Sequence, residues 1–304
     1  MRRSFLFLLA AAVTCLSPVL LVLPVRPAMA QPGKDAPPPR EIRLVEKKLE
    51  ELPNQDFGEL GKAAFTLAPD RWKHAETDNF IVHYRRKTEA QRVVREIEYN
   101  LWFVARSLGA GRDRYTKKSH VFIFQGTGEW RGFLSEVKAP RWSASFAYGD
   151  QLFLNVGGPG EEFDSHLLAH ETTHAVVSRL YPEKRWPLWA NEGFAEYMGG
   201  ASVATRRQQY LKGMQRDFTH ADLSFEQLEA LEVYPSEEQQ IHQLYQSGER
   251  VIRFLMTEFP KDRIAKFVDS LLAGNKLEAA VMEVYGDKVP DFKTFRTRYQ
   301  RFQK

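Results

Sequence analysis

The sequence predicts an α+β fold, with a small mixed β-sheet in the N-terminal half and a helical C-terminal half. Two observations carry that expectation. Runs rich in β-branched and aromatic residues fall between residues 78 and 156, and from Asp164 onward almost every stretch has the apolar spacing of a helix. This segregation argues against a doubly wound sheet, in which strands and helices alternate. A chain of 304 residues, 43% of them hydrophobic, can build one large domain or two small ones.

The first thirty residues stand apart. Arg2 and Arg3 precede an apolar stretch from Phe5 to Leu23, and the segment ends in Ala28-Met29-Ala30. A charged start, an apolar middle and an A-x-A end describe a secretory signal cut after Ala30. An uncleaved anchor is the alternative, although Ser17-Pro18 and Pro24 interrupt the apolar run. Export to a periplasmic or extracellular space follows, with no stable membrane insertion once the signal is cut.

Loss of the signal alters the charge balance. Taking its three arginines from the 43 basic residues leaves 40 against 39 acidic ones. The sequence pI near 9.0 is therefore no argument for a nucleic-acid partner. Cys15, the only cysteine, leaves as well, so disulfides and thiolate chemistry are excluded from residues 31–304.

Each later element has its own signal. Residues 31–40, QPGKDAPPPR, read as an extended proline-rich linker, and EIRLVEKKLEEL (41–52) has helical spacing of Ile42, Leu44, Val45 and Leu49. The whole of 31–70 is a linker with a short helix, or a pro-segment. DNFIVHYR (78–85) and SHVFIFQ (119–125) read as strands, and residues 89–109 as a long helix lined by Val93, Val94, Ile97, Leu101, Val104 and Leu108. SASFAYGDQLFLNV (143–156) reads as a hairpin turning at Gly149-Asp150, and GGPGEE follows as a loop. Downstream, 263–274, 276–286 and 291–302 carry apolar stripes and no evident chemistry. SVATRRQQYLKGMQRDF (202–218) is basic and amphipathic, a solvated face or a membrane or partner contact.

The chemistry concentrates in LLAHETTHAVVSRLYPEKRWPLWANEGFAEYMGG (167–200). His170 and His174, four apart on a helix, project from one face and can reach one ion. Glu171 sits beside them, placed to hold an attacking water without ligating the metal. This is the logic of H-E-x-x-H: two zinc ligands and a general base. The apolar flanks predict a buried helix, where histidines need partners. His166 repeats the spacing, but it lies more than about 10 Å along the helix from His174 and reads as a neighbour. Glu192 is the better third ligand. Glu196 shares its helix face and is placed to hold a ligand histidine's other ring nitrogen.

H-E-x-x-H followed by N-E-G-F-A-E-Y resembles the gluzincins, the metallopeptidases with two histidines and a glutamate on zinc, and within them the peptidase MA-like proteins and zinc aminopeptidases. The resemblance implies a zincin-like catalytic domain over 71–304, its sheet in 71–160 and its zinc site in the helical part, 161–304. It assigns His170, His174 and Glu192 to Zn²⁺ and Glu171 to the base. Seventeen residues separate His174 from Glu192, one fewer than is usual in aminopeptidases. LYQSGERVIRFLMTEF (244–259) is similar to the segment whose tyrosine donates to the oxyanion, and Tyr245 is the matching position; a core tyrosine is the alternative. His242, nearby on the same helix, is a candidate second donor. The hairpin lacks the G-x-M-E-N glutamate that holds a substrate's free amine, which argues against aminopeptidase activity, although its strand can still pair with an extended peptide. The expected protein is thus a monomeric, exported zinc peptidase acting on peptide or protein substrates. The alternative is a non-catalytic zinc-containing binding or scaffold protein.

Overall fold

Strands that are apolar at consecutive positions, rather than at alternate ones, need cover on both faces of their sheet. Every residue of β3 (Phe80–Tyr84) and β4 (Ser119–Phe124) is buried. The computed structural model, which describes residues 36–141, 143–157, 163–206 and 222–302, supplies that cover. Six strands lie in the order β1 (Val45–Lys47), β2 (Lys73–Glu76), β3, β4, β6 (Gln151–Asn155) and β5 (Ser145–Tyr148). The sheet is mixed: β3, β4 and β6 run parallel, while β1, β2 and β5 pair antiparallel with their neighbours. Val82, Tyr84, Val121, Ile123, Leu152 and Leu154 join the core shared with α2 (Lys87–Ser107) and α4 (Ser165–Leu180). Phe122, Phe124 and Phe153 pack in a separate cluster with α1 (Gly58–Thr66) and α3 (Thr127–Glu136).

The C-terminal half is helical: α5 (Leu188–Arg206), α6 (Phe225–Ala230), α7 (Glu238–Glu258), α8 (Ile264–Leu272), α9 (Leu277–Tyr285) and α10 (Phe292–Phe302). The expected α+β architecture is therefore present. The hairpin turns at Gly149-Asp150 with Gly149 at φ +59°, as a two-residue turn between twisted strands requires. The helix expected over 41–52 is absent. Val45–Lys47 pair instead with β2, and Leu49–Glu51 form a single 3₁₀ turn. Pairing to an existing sheet outweighs a helical spacing over so short a run. Residues 58–66 form a helix packed on the sheet, so this part of 31–70 belongs to the core and is no linker. The signal (1–30), residues 31–35, residues 158–162 of the GGPGEE loop and most of the basic stretch (207–218) lie outside the described residues. No helix among the described residues is long and apolar enough to cross a membrane.

Two features of this frame bear on stability. The first is the crossing of α5 and α7. A Cβ on Gly193 would lie 2.2 Å from the carbonyl carbon of Gly248, and one on Gly248 would lie 2.4 Å from the carbonyl oxygen of Trp189. The helices meet backbone to backbone, and that approach sets Tyr245 of α7 against Glu192 of α5. The second is a ladder of imidazoles across three strands. His74 Nδ1 lies 2.9 Å from His83 Nδ1, and His83 Nε2 lies 2.9 Å from His120 Nδ1. Phe57 and Phe65 close over the ladder edge-on. Burial drives His83 well below the usual histidine range and His120 down to about 4.

Gly193→Ala should destabilise the fold by about 3 kcal/mol, read as a lowered urea midpoint, because neither backbone can yield locally. The ladder gives a pH dependence of definite sign. The folded-state values lie below the unfolded value of about 6.5, so the unfolded chain takes up protons that the folded ladder refuses. Stability is full above about pH 6.5 and falls as the pH drops toward 4, by about 3 kcal/mol for His120. Urea unfolding at pH 6.5 and 4.5 should show the loss, and His120→Gln should lose less over the same interval. Equal losses in the two proteins would count against the ladder as the source.

Candidate metal centre

Helix α4 carries the H-E-T-T-H segment through the core, and its local chemistry explains how so polar a stretch is buried. Asp164 caps the helix by accepting from the backbone N–H groups of His166 and Leu167. The hydroxyls of Thr172 and Thr173 donate to the carbonyls of Leu168 and Ala169, one turn back. That leaves His170, Glu171 and His174 as the polar groups needing partners outside the helix.

They find them on α5 and β5. His170 Nε2 and His174 Nε2 lie 3.0 Å apart, and each lies 3.4 Å from Glu192 Oε2. An ion bound tetrahedrally at about 2.0–2.1 Å holds its ligand atoms about 3.3 Å from one another. The three donor atoms therefore already have the spacing of one face of a tetrahedron. Glu192 is fully buried, and its Oε2 makes no hydrogen bond of ordinary geometry among the described residues. A buried carboxylate oxygen left bare and aimed between two imidazoles fits a cation. His170, His174 and Glu192 are the group among the described residues able to hold a metal ion.

The supporting contacts are asymmetric. His170 Nδ1 faces Glu196 Oε2 at 3.1 Å, and His174 Nδ1 faces the Asn191 side-chain oxygen at 3.4 Å. Such partners fix the ring orientation and the tautomer in which each Nε2 is free to ligate. His166 lies behind this layer, with Nε2 3.7 Å from Glu196 Oε1, as a neighbour and not a ligand. Gly199 permits the approach of α4 and α5: a Cβ there would lie 3.2 Å from the backbone nitrogen of His170.

Electrostatics point the same way. Burial alone would lower the His170 ring, but the Glu192 and Glu196 carboxylates outweigh it and raise it to about 10. Burial would raise Glu192, yet His174 and His170 hold it well below the carboxylate range. Glu171 is raised by burial against the pull of His170 and His174, and its Oε2 accepts from the Ala147 N–H at 2.9 Å. An acid–base group of raised pKa is thus fixed against edge strand β5.

Tyr245 lies over the cluster, its ring 5.8 Å from that of His170. Burial and the nearby Glu192 and Glu171 push its phenol far up, so it stays a donor. His242 is not brought in: it is exposed and turned to Glu238 at 3.6 Å. The sequence reading missed Tyr234, whose hydroxyl donates to Glu192 Oε1 at 2.5 Å. It comes from the loop between α6 and α7, where no periodicity marks a residue's direction. The cluster opens into a cleft of about 820 Å³, lined by Phe146 and Ala147 of β5, by Val177, Lys184, Arg185, Trp186 and Leu188, and by Tyr234, Ile241 and Tyr245.

No protein-family model matches the chain, and no curated protein shows significant similarity to it. The site therefore rests on its own geometry.

Metal analysis of the purified protein should find one ion per chain. At about a thousandfold excess over its Kd the ion should add about 4 kcal/mol to stability. His170→Ala and Glu192→Ala should abolish binding, while Glu196→Ala should weaken it about 10–100-fold. Equal metal content in all three variants and the parent would contradict this assignment.

Proposed function

We propose that the protein is an exported zinc peptidase of the gluzincin type, with a zincin-like fold, cleaving internal or terminal bonds of peptide or protein substrates. The observation that carries this reading is the pairing of a three-ligand cluster with a carboxylate held beside it in an open cleft. A structural zinc site closes itself with four protein ligands and has no use for a base. Here three ligand atoms face one another beside an open cleft, and Glu171 lines the same cleft, held by the Ala147 N–H of β5.

Zn²⁺ held by His170, His174 and Glu192 would supply Lewis acidity and a water acidified toward pKa 7. The residues of the chain perform the remaining steps. Glu171 accepts a proton from the water as it attacks the scissile carbonyl carbon, then delivers that proton to the leaving amine as the C–N bond breaks. Its raised pKa suits it to both halves of this transfer. Tyr245 donates its hydroxyl to the oxygen on which negative charge develops. Strand β5 is an edge of the sheet among the described residues and lines the cleft, so an extended peptide can lie along it. Phe146, Val177, Trp186, Leu188 and Ile241 offer apolar contact to the substrate's side chains. Export rests on the N-terminal segment, and the absence of basic excess in residues 31–304 leaves nothing to favour a nucleic-acid partner.

Cleavage of a peptide library by residues 31–304 tests the reading directly. Glu171→Gln should keep its metal while turnover falls by about 10²–10⁴-fold. Undiminished turnover in that variant would remove Glu171 from the mechanism. A metal-loaded parent that cleaves nothing in the library would favour the binding or scaffold alternative.

A further inference from the structure

The two oxygens of Glu192 have different surroundings. Oε2 is the bare atom, 3.4 Å from each imidazole. Oε1 is occupied: Tyr234 donates its hydroxyl at 2.5 Å, and Asn191 Nδ2 approaches at 3.4 Å. A carboxylate can ligate a metal through one oxygen or through both. Ligation through both would require Oε1 to surrender the Tyr234 hydroxyl. The hydrogen bond therefore biases Glu192 toward ligation through Oε2 alone.

Tyr234 is placed for little else. It lies in the short connection between α6 and α7, about half exposed (53%), beside Val233, which is 75% exposed. An exposed ring contributes little to the core, and yet its hydroxyl reaches a carboxylate that is fully buried. The other tyrosine of the cleft, Tyr245, comes from α7 and faces the His170 ring. Both phenols lie near Glu192, but Tyr234 is the one whose hydroxyl donates to Oε1.

We propose that Tyr234 is a positioning residue that confines Glu192 to one-oxygen ligation and so keeps a coordination place open for water or substrate. This inference rests on the metal-site reading above. Tyr234 acts through its hydrogen bond to Glu192 Oε1. The hydrogen bond also ties the 231–237 connection to the Glu192 carboxylate.

The test uses Tyr234→Phe in the otherwise unaltered protein, loaded with Zn²⁺ for affinity and with Co²⁺ for spectroscopy. Phe keeps the ring and removes only the donor. Competition against a chelator should show Zn²⁺ affinity reduced about 10–100-fold, the usual effect of removing a ligand's supporting hydrogen bond. The visible absorption of the Co²⁺ form should weaken, because a second carboxylate oxygen raises the coordination number and intensity falls as that number rises. A purely structural tyrosine would leave that spectrum unmoved. An unchanged affinity and spectrum would overturn the proposal while leaving the metal site standing. Reduced affinity with an unchanged spectrum would also overturn it, since the coordination would not depend on Tyr234. A parent protein that binds neither ion would bring down this inference and the metal-site reading together.

Discussion

A fully buried carboxylate, Glu192, is the constraint around which this molecule is arranged. Leaving an ionised carboxylate without compensation inside a protein is prohibitive, so its surroundings must supply positive charge and hydrogen-bond donors. Two imidazoles from α4 face one oxygen, and a phenol from a distant loop caps the other. These groups belong to three separate parts of the chain. Their meeting requires α4, α5 and α7 to approach closely, and the glycines make that possible: Gly199 toward α4 and the Gly193–Gly248 pair toward α7. Gly193 directly follows Glu192. The residue that must be buried and the residue that permits the burial are thus neighbours in the chain.

Histidine chemistry differs across the sheet for the same reason. At the metal cluster, carboxylates on both sides raise His170 despite its burial. In the ladder of His74, His83 and His120 the neighbours are aromatic rings and other imidazoles, and burial prevails. One residue type therefore stands beside carboxylates, able to hold a cation, in one layer and serves as a neutral hydrogen-bonding wedge in another. What decides is whether a carboxylate stands within hydrogen-bonding range.

How much of this was legible in the sequence follows from how far apart the cooperating residues lie. His170, Glu171 and His174 share a helix whose period fixes their direction, and Glu192 and Glu196 share another, so their meeting in one cluster could be read from spacing. Tyr245 came from a resemblance to a longer pattern, and the structure places it over the cluster. Tyr234 could not be read, because a loop residue carries no periodic signal and its partner lies 42 positions away. The ladder was equally hidden: its register depends on which strands pair, and β2, with the sequence Lys-His-Ala-Glu, lacks strand character of its own. The 41–52 stretch misled for the converse reason. Its apolar spacing is helical, but an open edge on β2 gave three of its residues a better place in the sheet.

The position of Glu171 ties these strands of reasoning together. It follows His170 directly, so about 100° of helical rotation separates their side chains. The histidine turns toward α5 and the glutamate toward β5, where the Ala147 N–H holds it. That N–H belongs to the edge strand, on the side not used by β6, because Ala147 and Leu152 sit opposite each other without exchanging their backbone bonds when the flanking pair does. Glu171 and the bare Glu192 oxygen thus line one cleft beside that strand. The arrangement needs a mixed sheet whose last strand is antiparallel, and it needs α4 to pack against that strand. The sheet's topology and the environment of Glu171 are in this sense one feature: the edge strand supplies the N–H that orients its carboxyl.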